Sequence, residues 1–429
     1  MKSFTRLLFF FLMLTILACL SSSCSKRENP IKMDIPKGTV WEIPAVTFNS
    51  LVGNVFNDAT ARKIWVYTPA DYETPNRKYP VLYFLHGFKQ EPEDLIDVYH
   101  IGEIADELIA HKEIQPMFIV MVSGFNTFGG SFFTNSLIFT GDTTTLVFGG
   151  KYEEFIAQEL VSYIDDAFRA WIRFGEFQQQ GKPVFDSVYR ANRGIAGYDM
   201  GGYGAFRIAM DYDSVFGSVS ASNAPLLPCG DGLTYGLLAW KDSIFKENKM
   251  YADTSLSYRL ARYRLFSDSL DNKPLTSLLF AMAAAFSPHP DLPARDTSIT
   301  FFTYYKNPEA SYAKGIDLPI DAKGDTVDLI WGILWRANDL KNRYLKYLAD
   351  GKNLFNQKKF YLDWADHHPL PGYQRQSEVF FNLLEAQGLK PVGGVYSGYV
   401  NYPAGSSNFL YDRIKQILKF HSQSFAPPE

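Results

Sequence analysis

Cysteine is nearly absent: three occur in 429 residues, and two of them, Cys19 and Cys24, fall within the first 24. Cys229 stands alone in the remainder, so no disulfide within the folded chain is expected. A single thiol without a neighbouring histidine reads as a small buried hydrophobe. No basic cluster stands out either. The formal charge is −4 with both signs interspersed, which argues against nucleic acid as a partner. The one long apolar run, Leu7 to Leu20, falls short of the ~20 residues a membrane-spanning helix needs. Internal repeats and low-complexity blocks are lacking, which sets aside solenoid and array architectures.

What the N-terminus does contain is an address. Lys2 and Arg6 precede the apolar run, and Ser21-Ser22-Ser23-Cys24 follows it, the pattern of a secretory leader. Small residues directly before a cysteine resemble the processing and lipidation site of a bacterial lipoprotein. Residues 1–24 then form the signal peptide and Cys24 becomes the lipidated N-terminus. Cys19, after Ile16-Leu17-Ala18, is the second choice, because Ser21 stands where such sites carry a large aliphatic residue. Residues 25–38, polar and with two prolines, read as a tether. The expectation is an exported lipoprotein of the outer membrane, periplasm or cell surface, touching membrane only through its lipid.

Residues 39–424 read as a single α/β domain. Short β-type runs between Val40 and Thr68 open it. Val81 to Leu85 and Met117 to Val122 are uninterrupted apolar runs, as expected of strands buried on both faces of a parallel sheet. An amphipathic helix over Ile101 to His111 separates them, and another runs from Tyr152 to Phe168. Gly129 to Ser136 reads as a loop. After a strand ending near Ser222, a long segment of about 223–357 reads as a lid insertion, with helical stretches over Ser277–Phe286 and Asp328–Leu340. The core resumes with a strand at Lys359–Trp364, a helix from about Arg375 to Gln387, a strand at Gly394–Val400 and a terminal helix, Phe409 to Phe420.

The stretch that organises the domain is Gly194-Ile195-Ala196-Gly197-Tyr198-Asp199-Met200-Gly201-Gly202. A strand end, a tight glycine turn and a helix start make a nucleophile elbow, where glycines flank the nucleophile because a Cβ would clash with neighbouring backbone. Asp199 occupies the place of the usual serine. His86-Gly87-Phe88 at the end of the first buried strand is where this architecture puts an oxyanion-hole donor, Phe88, the second being the residue after the nucleophile, Met200. His86 itself reads as a scaffold residue rather than a proton carrier.

Tyr79 to Tyr83 with His86-Gly87, the Thr134-Asn135-Ser136 loop, Tyr152 to Leu160 and Gly197 to Ala205 together resemble, in order, the putative-esterase family of α/β-hydrolases. That family includes feruloyl and acetyl-xylan esterases and S-formylglutathione hydrolase. The resemblance spans most of 60–225 and resumes near 358. It implies an α/β-hydrolase fold, a mostly parallel sheet flanked by helices with a lid insertion before the acid-bearing strand. It also implies a carboxylic ester of a carbohydrate or small molecule as ligand, and no cofactor.

The triad that the resemblance implies is degenerate. The acid position falls at Ala365-Asp366-His367-His368, where the family carries Gly-Thr-x-Asp; this aligns His368 with the acid and leaves Asp366 as the nearest carboxylate. The histidine position falls at Pro403 to Phe409, and no histidine lies between His368 and His421. Asp199 competes with an ester carbonyl for the hole, and a carboxylate adding to an ester is itself the better leaving group. Three readings remain open: a binding protein without turnover, an active ester hydrolase, and an aspartate-nucleophile hydrolase using His367 or His368 as base. A metal at the His-His-Asp run is disfavoured, because successive residues on one segment supply only part of a coordination shell.

Overall fold

The computed structural model describes residues 35–427 apart from 55, 57, 75–76, 140–144, 169–189, 232–234, 248–273, 291–313, 321–324, 371 and 400–406. The leader, Cys24 and most of the tether therefore lie outside the described residues, as does the Pro403 to Ser406 stretch. Among the described residues no helix is long and apolar enough to cross a membrane.

The apolar runs assemble into an eight-stranded sheet in the order β1-β2-β4-β3-β7-β8-β11-β12. Its strands are β1 (Thr39–Thr47), β2 (Ala61–Thr68), β3 (Val81–Leu85), β4 (Phe118–Val122), β7 (Arg193–Tyr198), β8 (Ser218–Ser222), β11 (Lys359–His367) and β12 (Val392–Tyr399). β1 pairs antiparallel with β2, and β2 with β4; every other pairing is parallel. β3, β4, β7 and β8 are buried along their whole length, as strands covered on both faces must be. Alternation sorts their side chains between two cores. Leu82, Phe84, Ile119 and Met121 pack toward helices α1 (Ile101–Ala110) and α8 (Ser407–Ser424). Val81, Tyr83, Val120 and Ile195 face the opposite layer, which holds α2 (Val161–Ala167), α3 (Met200–Asp211) and α7 (Tyr373–Ala386). From β3 the chain crosses to β4 on one side, and β7 lies on the other. The carboxyl ends of β3 and β7 thus flank a topological switch point, where ligands of open α/β sheets bind.

Two segments differ from the sequence expectation. Asn135, expected in a loop, begins β5 (Asn135–Phe139), which pairs antiparallel with β6 (Thr145–Lys151). β11 continues through Asp366 to His367 because β12 supplies a partner as far as Tyr399, so those polar residues belong to a strand end and not to a loop.

The described part of 223–357 contributes α4 (Lys241–Glu247), α5 (Pro274–Phe286), a two-stranded ribbon of β9 (Pro288–Pro290) and β10 (Lys314–Ile316), and α6 (Leu340–Ala349) preceded by helical turns from Ile330. This part packs along the flank of α3: Tyr203 and Phe286 rings lie 5.5 Å apart, Phe286 meets Trp335 edge-on, and the Tyr203 hydroxyl donates to the Asn338 carbonyl at 2.6 Å. Cys229 is buried, and burial in apolar surroundings pushes its thiol above the usual range, which keeps it protonated and unreactive.

Candidate functional site

Asp199 sits between β7 and α3 with φ 51° and ψ −125°. A non-glycine residue holds such a conformation only when its surroundings over-determine it. Here the Asp199 N–H donates to the Ser222 carbonyl at 2.9 Å, and its own carbonyl accepts from the Gly202 and Tyr203 N–H groups. The flanking glycines are sterically required: a Cβ on Gly197 would lie 2.3 Å from the Gly201 backbone, and one on Gly201 2.3 Å from the Leu85 carbonyl oxygen. The turn is pressed against the end of β3, and that contact sets the position of everything at the site.

The Asp199 carboxylate points into the cradle formed by the β3 loop and the start of α3. Its Oδ2 accepts the Phe88 N–H at 2.9 Å, and the Met200 N–H donates to the same carboxylate. The Tyr373 hydroxyl donates to Oδ1. Phe88 and Met200, the two donors read from the sequence, are thus brought together with Asp199, and both are spent on it. Burial pushes the carboxyl up to about 6 although the hydroxyl and both N–H donors pull the other way.

Phe88 is aimed by His86. The buried His86 ring donates from Nδ1 to the Gly87 carbonyl (2.8 Å) and accepts the Gly124 N–H on Nε2 (2.8 Å). It thereby ties the loop after β3 to the loop after β4. Burial lowers its pKa to about 4, so it stays neutral with the tautomer those bonds require.

The remaining candidates are engaged with other partners. His367 Nδ1 pairs with Asp366 Oδ1 at 2.7 Å, and both side chains face solvent. The Gly398 N–H, donating at 2.9 Å, holds Asp366 below the usual carboxylate range, with His367 adding to the effect. His368 accepts the Leu370 N–H on Nδ1 and stacks flat on Tyr373, ring centroids 4.0 Å apart and planes 2° apart. Burial lowers its pKa to about 3. Parallel stacking offers Tyr373 a ring face rather than a proton. His421, far along α8, is also spoken for, with its two ring nitrogens against Ser218 and Ser220 Oγ. Among the described residues no group of three His, Cys, Asp or Glu side chains could hold a metal ion.

Sequence reasoning missed Tyr373 and Asp363. Tyr373 opens α7 at the carboxyl edge of the sheet; its bond to Asp199 joins residues 174 positions apart, which no local pattern announces. Asp363, buried on β11, accepts the Tyr361 hydroxyl at 2.6 Å and pairs with Arg413 of α8 at 3.3 Å.

Residues 59–289, more than half the chain, match the family described as putative esterase. The chain belongs to that family. Among curated proteins it is similar to two esterases of Mycobacterium tuberculosis, MT1326 and Rv1288, each 26% identical over 194 residues, which is 41% of this chain and 36% of the relative. The alignment thus spans about a third of their length. Among solved structures it resembles a ferulic acid esterase, with a TM-score of 0.50 at 17% identity over 91% of this chain and 99% of that one. An S-formylglutathione hydrolase from Staphylococcus aureus follows, with a TM-score of 0.47 at 13% identity over 90% and 99%. The fold is that of the α/β-hydrolases, with the family's elbow intact and an aspartate at its centre.

Proposed function

We propose that this esterase homologue is an exported, lipid-anchored protein that binds a carbohydrate or small ester-type ligand at the elbow without turning it over. The observation that carries the reading is the Asp199 carboxylate itself, which accepts the Phe88 and Met200 N–H groups that an ester oxyanion needs. A carboxylate adding to an ester carbonyl is expelled in preference to an alkoxide, so the residue is a poor acyl acceptor. No imidazole among the described residues is hydrogen-bonded to it, and the Tyr373 hydroxyl holds the position on Oδ1 that a base would use. Without the triad, binding and an oxyanion hole leave at best ~10³–10⁴-fold over water, and here the hole is filled. The same geometry disfavours an aspartate-nucleophile route, which depends on His367 or His368 activating water.

Purified protein is expected to hydrolyse p-nitrophenyl acetate and methyl ferulate at the rate of the buffer alone, and Asp199→Ala at the same rate. Turnover in the wild type that disappears in Asp199→Ala would overturn the reading in favour of a working hydrolase.

A further inference from the structure

We propose that the elbow has reversed hydrogen-bonding polarity: it receives a free hydroxyl of a carbohydrate, where an esterase site receives the carbonyl of the acylated sugar. The inference rests on the carbohydrate part of the reading above and, of the two ligand forms named there, selects the free carbohydrate over the ester.

An ester carbonyl is an acceptor and needs donors. At this elbow the Phe88 and Met200 N–H groups and the Tyr373 hydroxyl all donate to Asp199. A carbonyl oxygen arriving there finds those donors engaged and meets carboxylate lone pairs instead. The carboxylate offers about four acceptor positions. Three are filled by those donors, and Asp199, though mostly buried, keeps some solvent exposure as a residue, so a fourth acceptor position remains for a ligand hydroxyl. Among the described residues, the neighbours that tune the carboxyl are a hydroxyl and two backbone N–H groups, with no lysine or arginine among them. A hydroxyl donating to such a carboxylate forms a charge-assisted bond, about twice as strong as a neutral one. Acylation removes that hydrogen and places an acceptor in its stead. The molecule is thereby suited to the deacylated form of the ligand, the product of ester hydrolysis, and rejects the substrate form. Sites that bond a ligand hydroxyl discriminate strongly against analogues lacking it.

Calorimetry with xylo-oligosaccharides and the same oligosaccharides O-acetylated tests this. The wild type is expected to bind the plain form at least about tenfold more tightly. Asp199→Ser frees the two backbone donors and is expected to invert the preference. Tyr373→Phe keeps Asp199 in place and is expected to retain the wild-type order, which guards against a misfolded Asp199→Ser protein; far-ultraviolet circular dichroism checks both variants. Tighter binding of the acetylated form by the wild type would overturn the polarity argument and leave carbohydrate binding standing. No heat with either form would overturn the carbohydrate reading together with the inference.

Discussion

Gly201→Ala is expected to destroy the elbow, with a loss of more than about 3 kcal/mol of stability or no soluble protein. The added Cβ would lie 2.3 Å from the Leu85 carbonyl oxygen and 2.6 Å from that of His86. Overpacking usually costs about 1–3 kcal/mol because side chains shift to make room. Here the obstacles are backbone atoms at the end of a strand paired on both sides, with β4 and β7, so little can give. Any movement that relieves the clash also carries Phe88 away from Asp199. Gly332→Ala is the control: no atom of the described residues lies within 4 Å of its Cβ, and loss of glycine's unfolded-state freedom should leave that variant unchanged or slightly more stable. Urea denaturation of the three proteins checks the contrast. A Gly201→Ala protein as stable as the wild type would mean that β3 and the elbow are not in contact.

Arg207→Met is expected to cost about 3–5 kcal/mol near neutral pH, the usual price of stranding a buried charge. Arg207 is buried on α3, its Nε 2.7 Å from Glu153 Oε1, with further bonds to the Tyr203 hydroxyl and Asn338 Oδ1. Glu153 in turn accepts the Asn135 N–H at 2.9 Å. This network fastens the elbow helix to β5 and to the helical turns before α6. Burial raises the Glu153 carboxyl above its usual range even with Arg207 present, and the Arg207 charge is the main influence opposing it. Methionine fills the arginine stem's volume but removes the carboxylate's main compensating charge and leaves only the Asn135 N–H and the weaker influence of Arg343, so Glu153 is driven to take up a proton. A group whose folded pKa is raised costs nothing while it is protonated and its full penalty once pH exceeds that pKa. The variant's deficit should therefore shrink as pH falls toward 5, and Arg207→Met/Glu153→Gln should recover part of it at pH 7. Denaturation midpoints across pH 5–8 test both statements; a deficit independent of pH would assign the loss to packing alone.

How far the sequence reveals this depends on whether the physical constraint is local. The elbow is legible because close backbone approach demands glycine at 197 and 201, whatever residue stands between them. β3 and β4 are legible because burial on both faces leaves no polar position. The hairpin of β5 and β6 is hidden: Gly129-Gly130 and the Ser, Thr and Asn residues that follow around Phe132-Phe133 look like a loop, and only pairing with residues 145–151 makes Asn135 a strand residue. Asp366 and His367 were hidden likewise, since pairing with β12 draws a polar run into a strand. At the site, Phe88 and Met200 follow from the architecture, but Tyr373 does not. It reaches Asp199 because α7 begins beside the elbow, a fact of tertiary packing. His368, on the stretch where the resemblance implies the family's acid, stacks on that tyrosine, a contact that is equally non-local.

The Asp199 carboxylate is held by the Phe88 and Met200 N–H groups and the Tyr373 hydroxyl. A carbon-13 NMR titration of the side-chain carboxyls, with Asp199 assigned by its loss in Asp199→Asn, measures this directly in the wild type and in Tyr373→Phe. A midpoint near 6 is expected for Asp199 in the wild type and a higher one in Tyr373→Phe, because the lost hydroxyl favours the charged form. A midpoint in the ordinary aspartate range, about 4, unmoved by the Tyr373 substitution, would contradict it.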